Sequence, residues 1–240
     1  MIVRVGVAYP NPPFNAMPGD TGLDIELMTE LGRSLGESVE FVAYDGAEFD
    51  GIFDRLEAGD YDCIAAGTTV TPGRERTAEF LSPYLISGQA LAVDTARHPR
   101  VRSIDDLHGL TVGVRSGGTG GPVAESLVAE GRAASVRAYG YGAVGSMIGD
   151  LGTGECDAVV MLAPALVHLV KDAQKISPGV QVVQRGLTVE EIAIAVAPGD
   201  QALAGRLRVA QAEAEEAGAL QRIRRKWLGT PYIDQSLRAL

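Results

Sequence analysis

The sequence predicts an α/β protein, and three observations carry that expectation. Apolar residues at helical spacing alternate with short apolar or alternating runs along the whole chain. The 240 residues are 46% hydrophobic, which suits one or two globular domains with sizeable cores. At two separate places an apolar run leads directly into a loop rich in glycine and hydroxyls, the pattern of a strand end built to approach a ligand.

The elements follow in order. Residues 3–8 are a first strand, and Tyr9-Pro10-Asn11-Pro12-Pro13-Phe14 is a proline-stiffened loop with two aromatics. Residues 22–35 place Leu23, Ile25, Leu27, Met28, Leu31 and Leu35 close to helical spacing. A strand over 39–43 precedes a helix over 49–58, with Phe49, Ile52, Phe53 and Leu56 on one face and Gly59 as its stop. Residues 61–66 are a third strand, ending in the apolar run Cys63-Ile64-Ala65-Ala66.

Gly67-Thr68-Thr69-Val70-Thr71-Pro72-Gly73-Arg74 comes next and is the most informative segment. Gly67 lets backbone N–H groups approach a ligand. Thr69 and Thr71, at alternate positions, share one face of an extended segment. Pro72-Gly73 turns the chain so that Arg74 returns over the strand end. Its guanidinium is a planar fork suited to a carboxylate. These are the parts of a small-anion clamp; the plain alternative is a Thr-rich strand end, a turn and a solvated arginine.

Residues 77–80 give way to Leu81-Ser82-Pro83-Tyr84, and 87–93 form a long extended run. The polar stretch 95–102 reads as a surface connection, 103–107 as a short capped helix and 110–114 as a strand. The glycine-rich loop Arg115-Ser116-Gly117-Gly118-Thr119-Gly120-Gly121 follows, with Pro122 in the first turn of a helix that reaches about 129. Strand, glycine loop and helix N-terminus in that order make an anion site. The loop lacks the Lys-Ser/Thr ending of a P-loop and the spacing of a dinucleotide fingerprint, so it predicts a small carboxylate or phosphate rather than a nucleotide. Helices over 144–151 and 164–170 flank a buried strand at 157–161. A strand at 192–196 and helices at 201–216 and 219–227 complete the order.

Composition narrows the function. The net charge is −10, and the strongest basic cluster, Arg222 to Lys226, sits at a helix end where cations suit the dipole. An acidic chain without a broad basic patch is a poor nucleic-acid binder. Cys63 and Cys156 lie in apolar surroundings far apart in sequence, and both read as free and buried. His98, His108 and His168 have no Cys or His neighbours at metal-ligand spacing, so neither a metal nor another cofactor is expected. No stretch is apolar for long enough to span a bilayer. The N-terminal residues read as a strand rather than a signal peptide, which fits either a cytosolic protein or a mature domain with an added start methionine.

The motifs in their order resemble the type 2 periplasmic solute-binding proteins of ABC importers, in the amino-acid-binding group. Gly22-Leu23-Asp24-Ile25-Glu26-Leu27 matches the opening of the family's first helix. Phe49-Asp50-Gly51-Ile52, Leu56, Gly59 and Tyr61-Asp62 match the second helix and third strand. Thr69-Val70-Thr71-Pro72-Gly73-Arg74 is similar to Thr-x-Thr-Pro-Glu-Arg, with Gly73 in place of the Glu. Phe80-Leu81-Ser82-Pro83-Tyr84, the run from Asp106 to Val114, and Lys226-Trp227-Leu228-Gly229 match three later landmarks.

The resemblance implies a two-lobed clamshell, each lobe a mixed sheet flanked by helices. Lobe one would take 1–90 and 193–240 and lobe two 95–188, with hinge crossovers near 88–94 and 189–195. It implies that Arg74 binds the α-carboxylate of an amino acid or related small carboxylate, with Gly67 and Thr69 beside it. Gly118, Thr119 and Gly120 would donate to the same carboxylate, while Phe49, and Tyr9 or Phe14, would wall the side-chain pocket. It further implies a monomer that works with an ABC permease, placed in the periplasm or outside the cell with or without a lipid anchor.

One departure stands out. The family sets an Asp five residues past the Asp of its G-x-x-D-A motif to pair with the ligand's ammonium, and here that place holds Leu162. An uncompensated ammonium in a buried site is costly. Either another carboxylate serves, with Glu191 or Glu190 as candidates, or the ligand lacks the ammonium; Asp157 itself reads as a structural cap. Two other readings share the fold. One is a cyclohexadienyl-dehydratase-like enzyme using Glu190, Glu191 or Glu48 as its acid. The other is the sensing domain of a receptor.

Overall fold

The computed structural model describes residues 2–16 and 20–229, so the 230–240 part of the expected first lobe lies outside the described residues. The chain opens with β1 (Ile2–Ala8), α1 (Leu23–Leu35), β2 (Ser38–Tyr44), α2 (Gly51–Glu57) and β3 (Cys63–Ile64). The short strands β4 (Glu79–Phe80) and β5 (Leu85–Ser87) lead to β6 (Gln89–Asp94). Then come β7 (Thr111–Arg115), α3 (Gly120–Ala129), β8 (Ser135–Tyr139), α4 (Val144–Thr153), β9 (Ala158–Leu162) and α5 (Ala163–Ala173). The order ends with β10 (Val180–Arg185), β11 (Glu190–Ile192), β12 (Ala195–Val196), α6 (Gln201–Glu216) and α7 (Ala219–Leu228).

The fold separates into two compact units. One holds the described residues up to Gly46, Asp50–Ile86, and those from Glu190 onward; the other holds Ala47–Phe49 and Ser87–Val189. The first unit is built on a mixed sheet of order β2-β1-β3-β12-β4. β1 runs parallel to β2 and β3, while β12 lies antiparallel to both β3 and β4. Alternation in β1 buries Val3, Val5 and Val7. The helical spacing of α1 buries Leu23, Leu27, Met28 and Leu31, and Gly36 stops the helix in the left-handed conformation at φ 66°. α6 and α7 pack against α1.

The second unit has the order β10-β6-β9-β7-β8. β7 is parallel to β8 and β9, and β6 is antiparallel to β9 and β10. Both faces of this sheet are covered. Ala90, Ala92, Val159 and Met161 join the core under α4 and α5. Leu91, Val93, Ala158 and Val160 join the opposite core under α3. A strand buried on two faces is apolar throughout, which is why 89–94 and 158–162 are continuous hydrophobic runs.

Several expected boundaries move. The extended run expected as a crossover at 88–94 is β6, an inner strand of the second sheet. The chain passes between units on either side of Ala47–Phe49, after Ile86 and after Val189. The expected strand at 192–196 is two short strands, β11 and β12, and the expected strand at 61–66 is paired only at Cys63–Ile64. The strands β4, β8 and β10 were not anticipated. Both cysteines are free and buried, as expected.

Candidate functional site

In the first unit the segment after β3 is held from below. Asp24, in the first turn of α1, is wholly buried and accepts the Gly67 N–H at 2.6 Å and the Tyr84 hydroxyl at 2.6 Å. Burial pushes this carboxyl up to about 6, against the pull of the two donors toward the charged form. Burial and the adjacent carboxylate push the Tyr84 hydroxyl well above its ordinary value. Gly67 has φ +61°, and a Cβ there would sit 2.6 Å from the ring of Phe14. Only glycine fits this turn, for reasons of conformation and of space. Phe14 is 0% exposed and serves as the floor beneath Gly67. Tyr9 is half-buried and donates its hydroxyl to Asp20 at 2.6 Å.

Thr69 joins two charged side chains. Its hydroxyl donates to Glu190 Oε2 at 2.7 Å, and its carbonyl accepts Arg74 Nη1 at 2.9 Å. Arg74, only 8% exposed, also donates Nε and Nη2 to Asp50 Oδ1 at 2.9 and 2.8 Å. Its guanidinium lies 5.5 Å from the centroid of the Phe53 ring. The guanidinium is therefore fixed in direction by a carbonyl, a carboxylate and an aromatic face, rather than solvated. Glu191, one of the two acidic candidates from the sequence, is exposed, and its backbone carbonyl accepts the Val70 N–H at 2.8 Å. Glu190, its neighbour, is the one that reaches Thr69.

In the second unit the glycine loop caps α3. Gly117 takes φ +71°, and Gly118 N–H donates to the Arg115 carbonyl at 3.1 Å. Thr119 stands at the N-cap, and its hydroxyl accepts the Gln89 amide at 2.9 Å. Gly120 begins the helix, where a Cβ would meet the Val160 carbonyl at 2.7 Å. Glycine thus lets the helix N-terminus seat directly on β9, with the positive end of the helix dipole beside the loop. Leu162 is buried at the end of β9 and caps α5 by its backbone.

Phe49 does not lie on α2 as the sequence suggests; it precedes that helix and groups with the second unit. It is buried against Tyr141, ring centroids 5.9 Å apart, and its N–H donates to the Ser116 carbonyl at 3.3 Å. The Arg115 guanidinium lies 5.2 Å from the Phe49 ring centroid and 5.0 Å from that of Tyr141. Arg115, Tyr141, Asp50 and Asp24 were not singled out from the sequence as site residues. Arg115 was the one with a signal, an arginine placed directly before a glycine loop. Asp157 accepts the Thr111 N–H at 2.9 Å and stands 2.9 Å from His98 Nε2, a structural role.

Comparison with known proteins gives this geometry a context. The chain is 28% identical to the L-cystine-binding protein TcyJ of Escherichia coli strain K12 over 228 residues, 94% of this chain and 82% of that protein. The fold is similar to an ancestral arginine-binding protein bound to arginine, with a TM-score of 0.85 and 30% identity over 95% of this chain and 98% of that one. It is also similar to an ancestral amino acid-binding protein that is a precursor of cyclohexadienyl dehydratase, with a TM-score of 0.82 and 28% identity over 94% and 95% of the two chains. A family model matches residues 3–230, nearly all of the sequence. On that match the chain belongs to the bacterial extracellular solute-binding proteins, family 3.

Proposed function

We propose that this protein binds an amino acid outside the cytoplasmic membrane and presents it to the permease of an ABC importer. The observation that carries the reading is the fixed, buried guanidinium of Arg74 on the carbonyl of Thr69, in a chain of this family. A carboxylate meets such a guanidinium as a planar, bidentate partner. Gly67 and Thr69 would complete that end of the ligand. Thr119 and Gly120 would add N–H donors from the second unit, Gly118, whose own N–H is engaged by the Arg115 carbonyl, would shape the loop behind them, and Phe49 and Tyr9 would bound the ligand's side chain. The two units would act as lobes that close on the ligand, a hinge motion with its turning points where the chain passes between them. Phe14, as the floor of the Gly67 turn, would act on the site through that glycine.

In this reading the ligand leaves chemically unchanged, and the protein acts as a monomer in the periplasm or at the cell surface. The test is calorimetry against the twenty amino acids and cystine, with unaltered protein and Arg74→Ala. Submillimolar or tighter binding of an amino acid, weakened about 100-fold or more in Arg74→Ala, supports the proposal. Loss of the bound compound by chemical conversion, followed by NMR of the mixture, would instead favour an enzyme on this fold. Binding indifferent to Arg74→Ala would overturn the role given to the clamp.

A further inference from the structure

We infer that Asp50 is a positioning residue: its carboxylate sets the direction of the Arg74 guanidinium before a ligand arrives, and so strengthens the hold on the ligand's carboxylate. The inference rests on the amino-acid reading above. Asp50 stands at the N-cap of α2, where an aspartate ordinarily turns its side chain back onto the first N–H groups of the helix. Here it makes no such bond. Its backbone is already helical, at φ −65° and ψ −21°, and a single oxygen, Oδ1, accepts both Nε and Nη2 of Arg74 at 2.9 and 2.8 Å. The ion pair itself adds little to stability, because the Asp50 side chain is 57% exposed and water screens the attraction. A stabilising cap is thus forgone for a contact with the clamp, and a local rule broken in this way points to function.

The rest of the first turn of α2 serves the same guanidinium. Phe53 follows Asp50 by three residues, so the two side chains share one face of the helix. The Phe53 N–H donates to the Asp50 carbonyl at 3.0 Å, and the buried Phe53 ring lies under the guanidinium. From its own segment, Arg74 sets its N–H on the Thr71 hydroxyl at 3.2 Å and Nη1 on the Thr69 carbonyl. An arginine ordered in advance spares the ligand the entropy of ordering it. Of these holds, Asp50 is the one that a substitution removes without touching the core or the backbone: Thr69 acts through its carbonyl, and Phe53 is buried against Phe80.

The test compares Asp50→Ser, Asp50→Asn and Asp54→Ser with unaltered protein. Affinity for the tightest amino acid is read by calorimetry and stability by urea unfolding. Serine suits an N-cap as aspartate does but is too short to reach Arg74. Asparagine also suits the cap, and its one carbonyl oxygen can accept both N–H groups as Oδ1 does. Asp50→Ser should bind about 5- to 10-fold more weakly, and Asp50→Asn should stay within about 2-fold of unaltered protein. Asp54→Ser, which removes an exposed carboxylate of the same helix, should leave affinity unchanged. An Asp50→Ser protein that loses stability but keeps its affinity gives Asp50 a structural role alone and overturns the inference. Tighter binding by Asp50→Ser also overturns it, because Asp50 would then compete with the ligand. Equal losses in Asp50→Ser and Asp50→Asn overturn it as well, since charge rather than direction would be the cause. Should Asp50→Ser not fold, the Arg74 Nε–H resonance of the ligand-free protein gives a second measurement. Slow exchange with water in unaltered protein and in Asp50→Asn supports the inference, and fast exchange in unaltered protein overturns it. Failure of unaltered protein to bind any amino acid overturns the amino-acid reading, and the inference with it.

Discussion

Asp24 is the residue whose environment has the plainest thermodynamic consequence. Its folded-state value is raised to about 6 from an ordinary 3.8, so the folded protein holds this proton more tightly than the unfolded chain does. The protonated form is therefore favoured by folding. Any stability it lends is present below the ordinary carboxylate range and is lost as pH rises toward about 6. A shift of about two pKa units corresponds to about 3 kcal/mol, an upper figure. Carboxylates such as Glu79, whose value is lowered mainly by its hydrogen bond to Arg208, act in the opposite sense and make the raw profile composite. The comparison that isolates Asp24 is with Asp24→Asn, whose amide can still accept the Gly67 N–H. The stability of Asp24→Asn relative to unaltered protein should rise between about pH 4 and 6 and then level off, as measured by denaturant unfolding at each pH. A difference constant with pH would mean that Asp24 is not titrating in the folded protein. At this scale the sequence was legible where chemistry is local. Gly67, Thr69 and Arg74 lie within one short segment, and the turn expected to bring Arg74 back over the strand end sets its guanidinium on the Thr69 carbonyl. Glu190 and Glu191, adjacent and chemically alike, were indistinguishable until the pairing of β11 fixed which one faces inward.

Among the elements, legibility followed position in the sheet. The inner strands β6, β9 and β7 are buried on both faces and stand out as apolar runs. The strands β8 and β10 are the two edges of the same sheet, and both went unnoticed. Their sequences, SVRAY and VQVVQR, mix charge and amide with β-branched residues because one side of an edge meets water. β4 is two residues, too short for periodicity to register. The same contrast predicts energetics. Leu91→Ala in β6 removes a side chain with 0% exposure between two covered faces and should cost about 2–5 kcal/mol. Val136→Ala, on the half-exposed edge strand β8, should cost less than about 1 kcal/mol. Equal costs in urea unfolding would show that β8 is packed more fully than its exposure indicates.

For the whole molecule, the unequal continuity of the two units matters most. The first is assembled from three stretches of chain, while the second, apart from Ala47–Phe49, is the single stretch Ser87–Val189. Its sheet and both of its cores are drawn from within that stretch. The two ends of the stretch are tied to each other: Gln89 N–H donates to the Thr188 hydroxyl at 2.9 Å, and Leu187 N–H to the Gln89 carbonyl at 3.0 Å. A segment with its own core and adjacent ends has the attributes of an autonomous domain. Residues 87–189 expressed alone should therefore fold, with a dispersed amide spectrum and a cooperative urea transition. What the fragment loses is the packing of Phe49 on Tyr141 and Arg115, which should lower its stability without preventing folding. It also lacks Arg74 and Thr69, the clamp proposed for the ligand's carboxylate, so it should bind no amino acid that the intact chain binds. An unfolded fragment would mean that the three residues 47–49, or the paired strands at the crossings, are needed to nucleate the second sheet. Binding by the fragment would place ligand recognition wholly in the second unit, and would remove the clamp at Arg74 from the mechanism.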